Sequence, residues 1–489
     1  MIIAAQARYQ EDEGFIKSWM ALEAEEAPRS GSELLRLEER ALALGREIAD
    51  AVMSRKLRQA CADASLAGEA EAMVRGRRSE PLRGNGSRSV SVRLASGGKV
   101  DLDVGYLIVD RRRLPGRRRG LGRRGASGSG SYPVLERLGI EKGATPLLRE
   151  MCVEQMVLSH SFEAAATQLL GRGVKLCPKA LENLGQAAAG ALVQVREAQA
   201  LEAPEPGPLP TGPLAGHRVM VSADGGRVKT RRPHRQGRRK KDGRRGFVPE
   251  WREPRGFYIA ILDENGRPHR EHTPWLDASI RDADGLVQLL AARLIELGVA
   301  YAAEVVVIAD GATWFWDRLD DLLKQVGLDG SKVTRVLDFY HACEYLTKAL
   351  DLCRNLKAWE RRELFKKLRR LLRGGQLKSL FSQLRDLARG RRARDVNKAI
   401  AYLRKRKAML RYDLFDAQKL PLGSGPMESA IRRMINLRFK GPSIMWRVEN
   451  VERLLHVRAL ALTRRLREAF LATLKTFESE SVLDIAAAA

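Results

Sequence analysis

The chain has 489 residues, with 87 Lys and Arg against 60 Asp and Glu, a formal charge of +27. Hydrophobic residues make up 44% and charged residues 30%, a balance that excludes wholesale disorder, and the length suggests roughly three domains. Apolar runs stay short of the ~18 residues a membrane span needs, and the start MIIAAQARYQEDEGF lacks a basic segment followed by an apolar core. The cysteines at 61, 152, 177, 343 and 353 form no CxxC pair. No membrane span, secretory signal, disulfide framework or simple Cys-based zinc site is expected, and a reducing cytoplasm is.

The basic excess is mostly arginine, and it is clustered. Residues 111–124, RRRLPGRRRGLGRR, hold eight arginines, and residues 229–245 hold ten Lys or Arg against the single acid Asp242. Guanidinium forks match phosphate oxygens and displace condensed counterions, so these runs point to nucleic acid more than to a membrane surface or an acidic protein. Arg111, Arg112, Arg113, Arg117, Arg118, Arg119, Arg231, Arg232, Arg235, Arg238, Arg239, Lys240 and Lys241 are the candidate contacts.

In chain order, residues 1–85 read as a helical region for oligomerisation or DNA binding; Leu34, Leu35, Leu37, Leu42, Leu44, Ile48 and Val52 recur near a 3.6 period. Residues 86–135 switch to alternation across Ser96-Gly97-Gly98, a β-hairpin, followed by the basic Arg/Gly loop. Residues 136–200 are helical. Within them SFEAAATQLLGRGVKLCPKALENLGQAAAGAL has the form of a helix-turn-helix, equally the form of a plain helical hairpin. Prolines 204, 206, 208, 210 and 213 make 201–214 an extended linker.

Residues 215–345 then run strand, strand, strand, helix, strand, helix, strand. HRVMVSAD, RGFYIAILD and GRPHREHTPWL are the first three strands, and SIRDADGLVQLLAARLIELG is a helix closed by Gly298. AEVVVIADG is a buried strand, TWFWDRLDDLLKQV one helix, and KVTRVLDFYH the last strand. That is the order of an α/β ribonuclease-H-like catalytic core. Residues 346–418 are a basic helical insertion, 419–462 return to the core with a glutamate-bearing helix, and 463–489 form a tail.

Asp224, Asp310 and Asp338 each close an apolar strand at the end where parallel sheets present their ligand crevice. Crowded carboxylates there call for a hard divalent cation such as Mg²⁺ or Mn²⁺, and a pair of ions suits phosphoryl transfer. Glu428 falls in the first turn of a helix begun by Ser424, Gly425 and Pro426. Each acid also has a plain alternative: Asp before Gly bonds its own turn, and Glu428 with Arg432 is an ordinary i,i+4 pair.

VSADGGR, VVVIADGATWFWD, VLDFYHACEYL and LPLGSGPMESAIRRMINLRFKG followed by MW resemble the blocks of bacterial insertion-sequence transposases of the DDE type. The likeness is to the Mutator-like superfamily, closest to the Kra group, and spans about 217–462. The acids stand 86 and 118 residues apart. The resemblance implies that Asp224, Asp310 and Glu428 are the catalytic, metal-holding triad for two Mg²⁺ or Mn²⁺ ions, with Asp338 and His341 as a D-x-x-H element beside them. It implies double-stranded DNA as partner at both transposon ends and target, cleavage and strand transfer by a 3′-hydroxyl, and a homodimer or larger assembly. No small-molecule substrate is expected.

Where relatives carry a Cys-pair zinc element after the hairpin, this chain has the arginine loop. Trp314 and Trp316 either stack on a flipped base or pack in the core. Arg432 and Arg433 either face the DNA backbone or line a solvated helix. A catalytically silent DNA-binding descendant, acting as repressor or architectural factor, is the alternative function.

Overall fold

A computed structural model of the chain describes residues 14–110, 130–201, 208–233, 247–353, 356–388, 393–441 and 444–476. The chain divides into two compact units, Met1–Val195 with Leu466–Ala489, and Arg196–Arg465. The loop arginines 111–113 and 117–119, together with Arg235, Arg238, Arg239, Lys240 and Lys241, lie outside the described residues.

In the first unit, helix α1 covers 14–23, and α2 (Gly31–Ala62) starts where the Ser30 side chain accepts the Glu33 N–H at 3.2 Å. α2 buries Leu57, outside the expected apolar stripe; of that stripe Leu37 and Leu44 are half-buried, while Leu34, Leu35, Leu42, Ile48 and Val52 face outward. After α3 (Ala64–Arg77), strands β1 (Leu82–Arg93) and β2 (Lys99–Val109) pair antiparallel, with a short β3 (Gly130–Ser131) beside β2. The hairpin therefore begins at Leu82, four residues ahead of its expected start. Val100, Leu102 and Val104 alternate into a core with Leu57, Val92, Leu135 and Ile140.

Helices α4 (Pro133–Arg137), α5 (Pro146–Leu158), α6 (Phe162–Gly171) and α7 (Pro178–Leu201) follow, the last two lying where the sequence reads as a helix-turn-helix or a plain helical hairpin. The expected tail is partly a helix instead. Leu466–Lys475 buries Leu466, Phe470 and Thr473, spaced i, i+4, i+7, and packs on α5, with Arg467 paired to Glu150.

The second unit is built on a mixed five-stranded sheet. Its strands are β4 (Arg218–Gly225), β7 (Arg255–Ile261), β8 (Trp275–Ser279), β9 (Glu304–Ala309) and β10 (Val333–Leu337), in the order β10-β9-β4-β7-β8. β4, β9 and β10 run parallel, while β7 and β8 are added antiparallel. Between β4 and β7 a separate hairpin forms from β5 (Val228–Pro233) and β6 (Phe247–Arg252).

One face of the sheet is dry. Val219, Val221, Ala223, Phe257, Ile259, Ile261, Val305, Val307 and Ala309 interlock with α8 (Ala283–Glu296), α9 (Thr313–Trp316) and α10 (Leu319–Gln325). The stretch expected as one helix after Asp310 is thus two, broken at Asp317-Arg318. The third expected strand also shifts: only Trp275–Ser279 pairs with β7, and residues 266–274 touch it through the lone bridge Leu262–Pro268. Gly266 at φ +72°, Pro268 and Pro274 explain why that stretch cannot join the ladder. The second half of the proline linker is packed rather than extended. Leu214 is fully buried, its N–H bonds Leu297 O at 3.0 Å, and Gly212 lies against the Leu297–Gly298 turn.

Beyond β10, α11 (Phe339–Leu352) runs past the expected start of the insertion into α12 (Ala358–Arg373), α13 (Leu377–Leu387) and α14 (Ala393–Lys405). α15 (Tyr412–Ala417), α16 (Gly425–Ile431), a π-helical turn Arg432–Asn436, α17 (Leu437–Phe439) and α18 (Val448–Leu462) complete the unit. α18 is fastened to the sheet by a buried polar network. Asp277 on β8 meets His456 Nδ1 at 3.1 Å and Arg196 at 3.4 Å, and Glu452 accepts from Arg196, Ser279 and the Ile280 N–H.

Candidate functional site

The parallel ladder decides which acids meet. β4 and β9 pair from Arg218–Glu304 to Val221–Val307 with a constant offset of 86 residues, the offset that separates Asp224 from Asp310. β10 and β9 pair up to Leu337–Ala309, so Asp338 follows the same row beside Asp310. Three aspartates therefore end three adjacent parallel strands at one level. Alternation does the rest: Ala223 and Ala309 belong to the dry face, so Asp224 and Asp310 project to the opposite one. α16 packs on β4 and β7 and brings Glu428, which is exposed and forms no ion pair with Arg432 among the described residues.

Electrostatics ties these groups together. Burial pushes the Asp224 carboxyl up to about 6, against the Gly225 N–H, which bonds its Oδ1 at 2.6 Å; the charges of Asp310, Glu428 and Glu253 add to the rise. Asp310 Oδ1 accepts the Ala312 N–H at 2.9 Å. The turn bonds expected of Asp before Gly are therefore made, and each carboxylate keeps its second oxygen for other work.

Glu253 was absent from the sequence-level candidates. It lies in the link between β6 and β7, and only the register Gly225–Arg255 brings it beside Asp224.

Asp338 differs in that both of its oxygens accept hydrogen bonds from the chain. Oδ1 accepts the His341 N–H at 2.8 Å, and Oδ2 accepts the Ser424 N–H and the Ser424 hydroxyl, the latter at 2.7 Å. The His341 ring lies by Glu344 at 3.5 Å and edge-on to Tyr345.

Trp316 is buried, and its indole N–H donates to Asp310 O at 2.6 Å, so it packs in the core and offers no face to a base. Trp314 leans on the same core under the Arg255 guanidinium, 5.2 Å from its ring. Arg432 is exposed; Arg433 is half-buried and gives its carbonyl to Arg458. Arg231 and Arg232 are exposed on β5, with Phe247, Val248 and Trp251 exposed on its partner strand. Basic and aromatic groups thus share one two-stranded ribbon.

The donor set is all carboxylate oxygen under mutual repulsion, which suits a hard divalent ion. As positioned, no group of three acidic, histidine or cysteine side chains among the described residues encloses a metal-sized point. Among those residues, too, no helix is long and apolar enough to cross a membrane.

No family model matches the chain, and no curated protein does. Among solved structures, the Drosophila P element transposase strand transfer complex aligns at a TM-score of 0.23 and 12% identity, over 71% of this chain and 84% of that one. A superposition at that level carries no argument about this chain.

Proposed function

We propose that the chain is a DDE-type transposase that binds the terminal repeats of a mobile element, cuts a phosphodiester and joins the freed 3′-hydroxyl to target DNA. The observation that carries the reading is the shared row of Asp224 and Asp310 across β4 and β9, with Glu428 brought onto the same face by α16. The strand order, three antiparallel then two parallel, supports a ribonuclease-H-like core. Asp224, Asp310 and Glu428 would hold Mg²⁺ or Mn²⁺, which when bound would activate the attacking oxygen and steady the leaving one. The chain itself supplies the carboxylate oxygens, the helix that delivers Glu428, and arginines that hold the DNA backbone in register. No serine or tyrosine nucleophile is required, because water cuts the first phosphodiester and frees the 3′-hydroxyl, which then attacks a target phosphodiester and displaces its 3′-oxygen.

The test uses duplexes copied from the DNA flanking the reading frame. Asp224→Asn, Asp310→Asn and Glu428→Gln should each abolish nicking and joining in Mg²⁺ while leaving duplex binding within about twofold. Full strand transfer by any of the three overturns the assignment of that acid.

The second reading is a catalytically silent DNA-binding descendant, acting as repressor or architectural factor. Tight duplex binding with no nick at any Mg²⁺ or Mn²⁺ concentration would decide for it.

A further inference from the structure

Gly311 follows Asp310, and the space where its side chain would be is occupied by Tyr402 from α14. A Cβ on Gly311 would stand 1.1 Å from the Tyr402 hydroxyl oxygen and 2.2 Å from the ring carbon that bears it. That hydroxyl is enclosed, closes no hydrogen bond of ordinary geometry, and lies within electrostatic reach of Asp310 and Tyr345.

The ring is held from both sides. Tyr345 of α11 stacks on it at 3.7 Å with 2° between the planes, and Lys348 covers the outer face of Tyr345 at 4.5 Å. Arg406 covers the other face of Tyr402 at 4.1 Å and donates to Gly311 O at 3.2 Å. Two cations and two phenols are layered, and each contact between them is attractive. Arg406 thus bonds the same peptide unit whose Ala312 N–H bonds Asp310 Oδ1 at 2.9 Å.

We propose that Tyr402 and Arg406 are positioning residues for Asp310: the helical insertion plugs the notch at Gly311 and holds the end of β9 in place. The proposal rests on the assignment of Asp310 as an active-site carboxylate. It makes the insertion more than a spacer before Glu428, because a group held from outside its own strand keeps its aim only while the brace is seated.

The experiment uses the full chain as Tyr402→Ala, Gly311→Ala, the double variant and Tyr402→Phe. Two measurements are made: amide hydrogen exchange of peptides spanning 308–316, and Mn²⁺ affinity from the free-ion resonance signal. Tyr402→Ala and Gly311→Ala should each speed exchange over 308–316, leave 275–279 unchanged, and weaken Mn²⁺ binding about tenfold.

The double variant should bind Mn²⁺ no worse than the weaker single one, since both remove one contact. Tyr402→Phe, which keeps the stack, should fall nearer the wild type. Unchanged exchange over 308–316 in Tyr402→Ala, or losses that multiply in the double variant, overturns the brace. If Asp310→Asn binds Mn²⁺ like the wild type, the carboxylate assignment fails, and exchange alone then decides the brace. Should Tyr402→Ala not fold, Arg406→Gln carries the same comparison, because it removes the bond to Gly311 O and leaves the ring.

Discussion

Asp338 and Ser424 are joined by two hydrogen bonds to one oxygen, from the serine N–H and from its hydroxyl. Ser424 is the residue from which α16 starts, and Asp338 is the cap of α11. One buried carboxylate therefore sets the beginnings of two helices, those carrying His341 and Glu428. Asp338 thereby links the start of α11 to the start of α16.

Asp338→Asn turns an amide NH₂ toward donors that need an acceptor, and should cost about 1–3 kcal/mol of stability. Ser424→Ala keeps the backbone bond and should cost no more than ~1 kcal/mol. Urea unfolding measures both, and equal costs would show that the carboxylate is not the hub.

Removing the charge of Asp224 should stabilise the chain. Its carboxyl is raised in the folded state to about 6, so folding is penalised above that pH and unpenalised below the unfolded value near 4. Asp224→Asn should gain on the order of 1–3 kcal/mol at pH 7.5, and the gain should vanish as pH falls from 6 to 4. Mg²⁺ should raise the melting temperature of the wild type more than that of the variant. Thermal scans across pH with and without the ion check both, and a variant less stable at pH 7.5 would contradict the repulsion.

The Asp277 network should answer pH in the opposite sense. Burial alone would raise this carboxyl, but His456 and Arg196 outweigh it and hold it below the ordinary range. Its contribution is complete above the unfolded pKa near 4 and is lost as pH falls through the lower folded value. Asp277→Ala leaves Arg196 facing Glu452 and Glu197 only, and should cost about 3–5 kcal/mol. Denaturant midpoints at pH 7 measure this, and a loss below ~1 kcal/mol would mean the pair is dispensable.

The β5–β6 ribbon should contribute to duplex binding by charge and by stacking. Arg231→Ala and Arg232→Ala should each lower the slope of log affinity against log salt by about 0.9 if they contact one phosphate. Trp251→Ala should weaken single-stranded DNA more than duplex, by about 1–3 kcal/mol, if its ring stacks on a base. Fluorescence anisotropy across salt concentrations separates the two effects, and unchanged slopes would remove the ribbon from the interface.

Local pattern was enough for β4, β7, β9 and β10, because a strand with one dry face must alternate and a run buried on both must be continuously apolar. It was also enough for α8, where Asp282 caps the start by accepting from Gly285, and Gly298 at φ +74° follows the end. It was not enough for residues 266–274, whose alternation looked like a strand, nor for Leu466–Lys475, whose short apolar stripe has meaning only against α5. Trp316 had the spacing of either a platform or a core residue, and the indole bond to Asp310 O settled its place.

The amino-acid order alone determined that an aspartate ends each parallel strand and that a glutamate opens a helix, since strand ends, turns and caps depend on neighbours a few residues away. Tertiary structure decided that Asp224 and Asp310 share a row, that Glu253 joins them, that Asp338 bonds Ser424, and that Tyr402 fills the notch of Gly311. Those facts arise from registers and contacts between segments tens to hundreds of residues apart. Such contacts are chosen by the packing of the whole unit, and no local spacing encodes them.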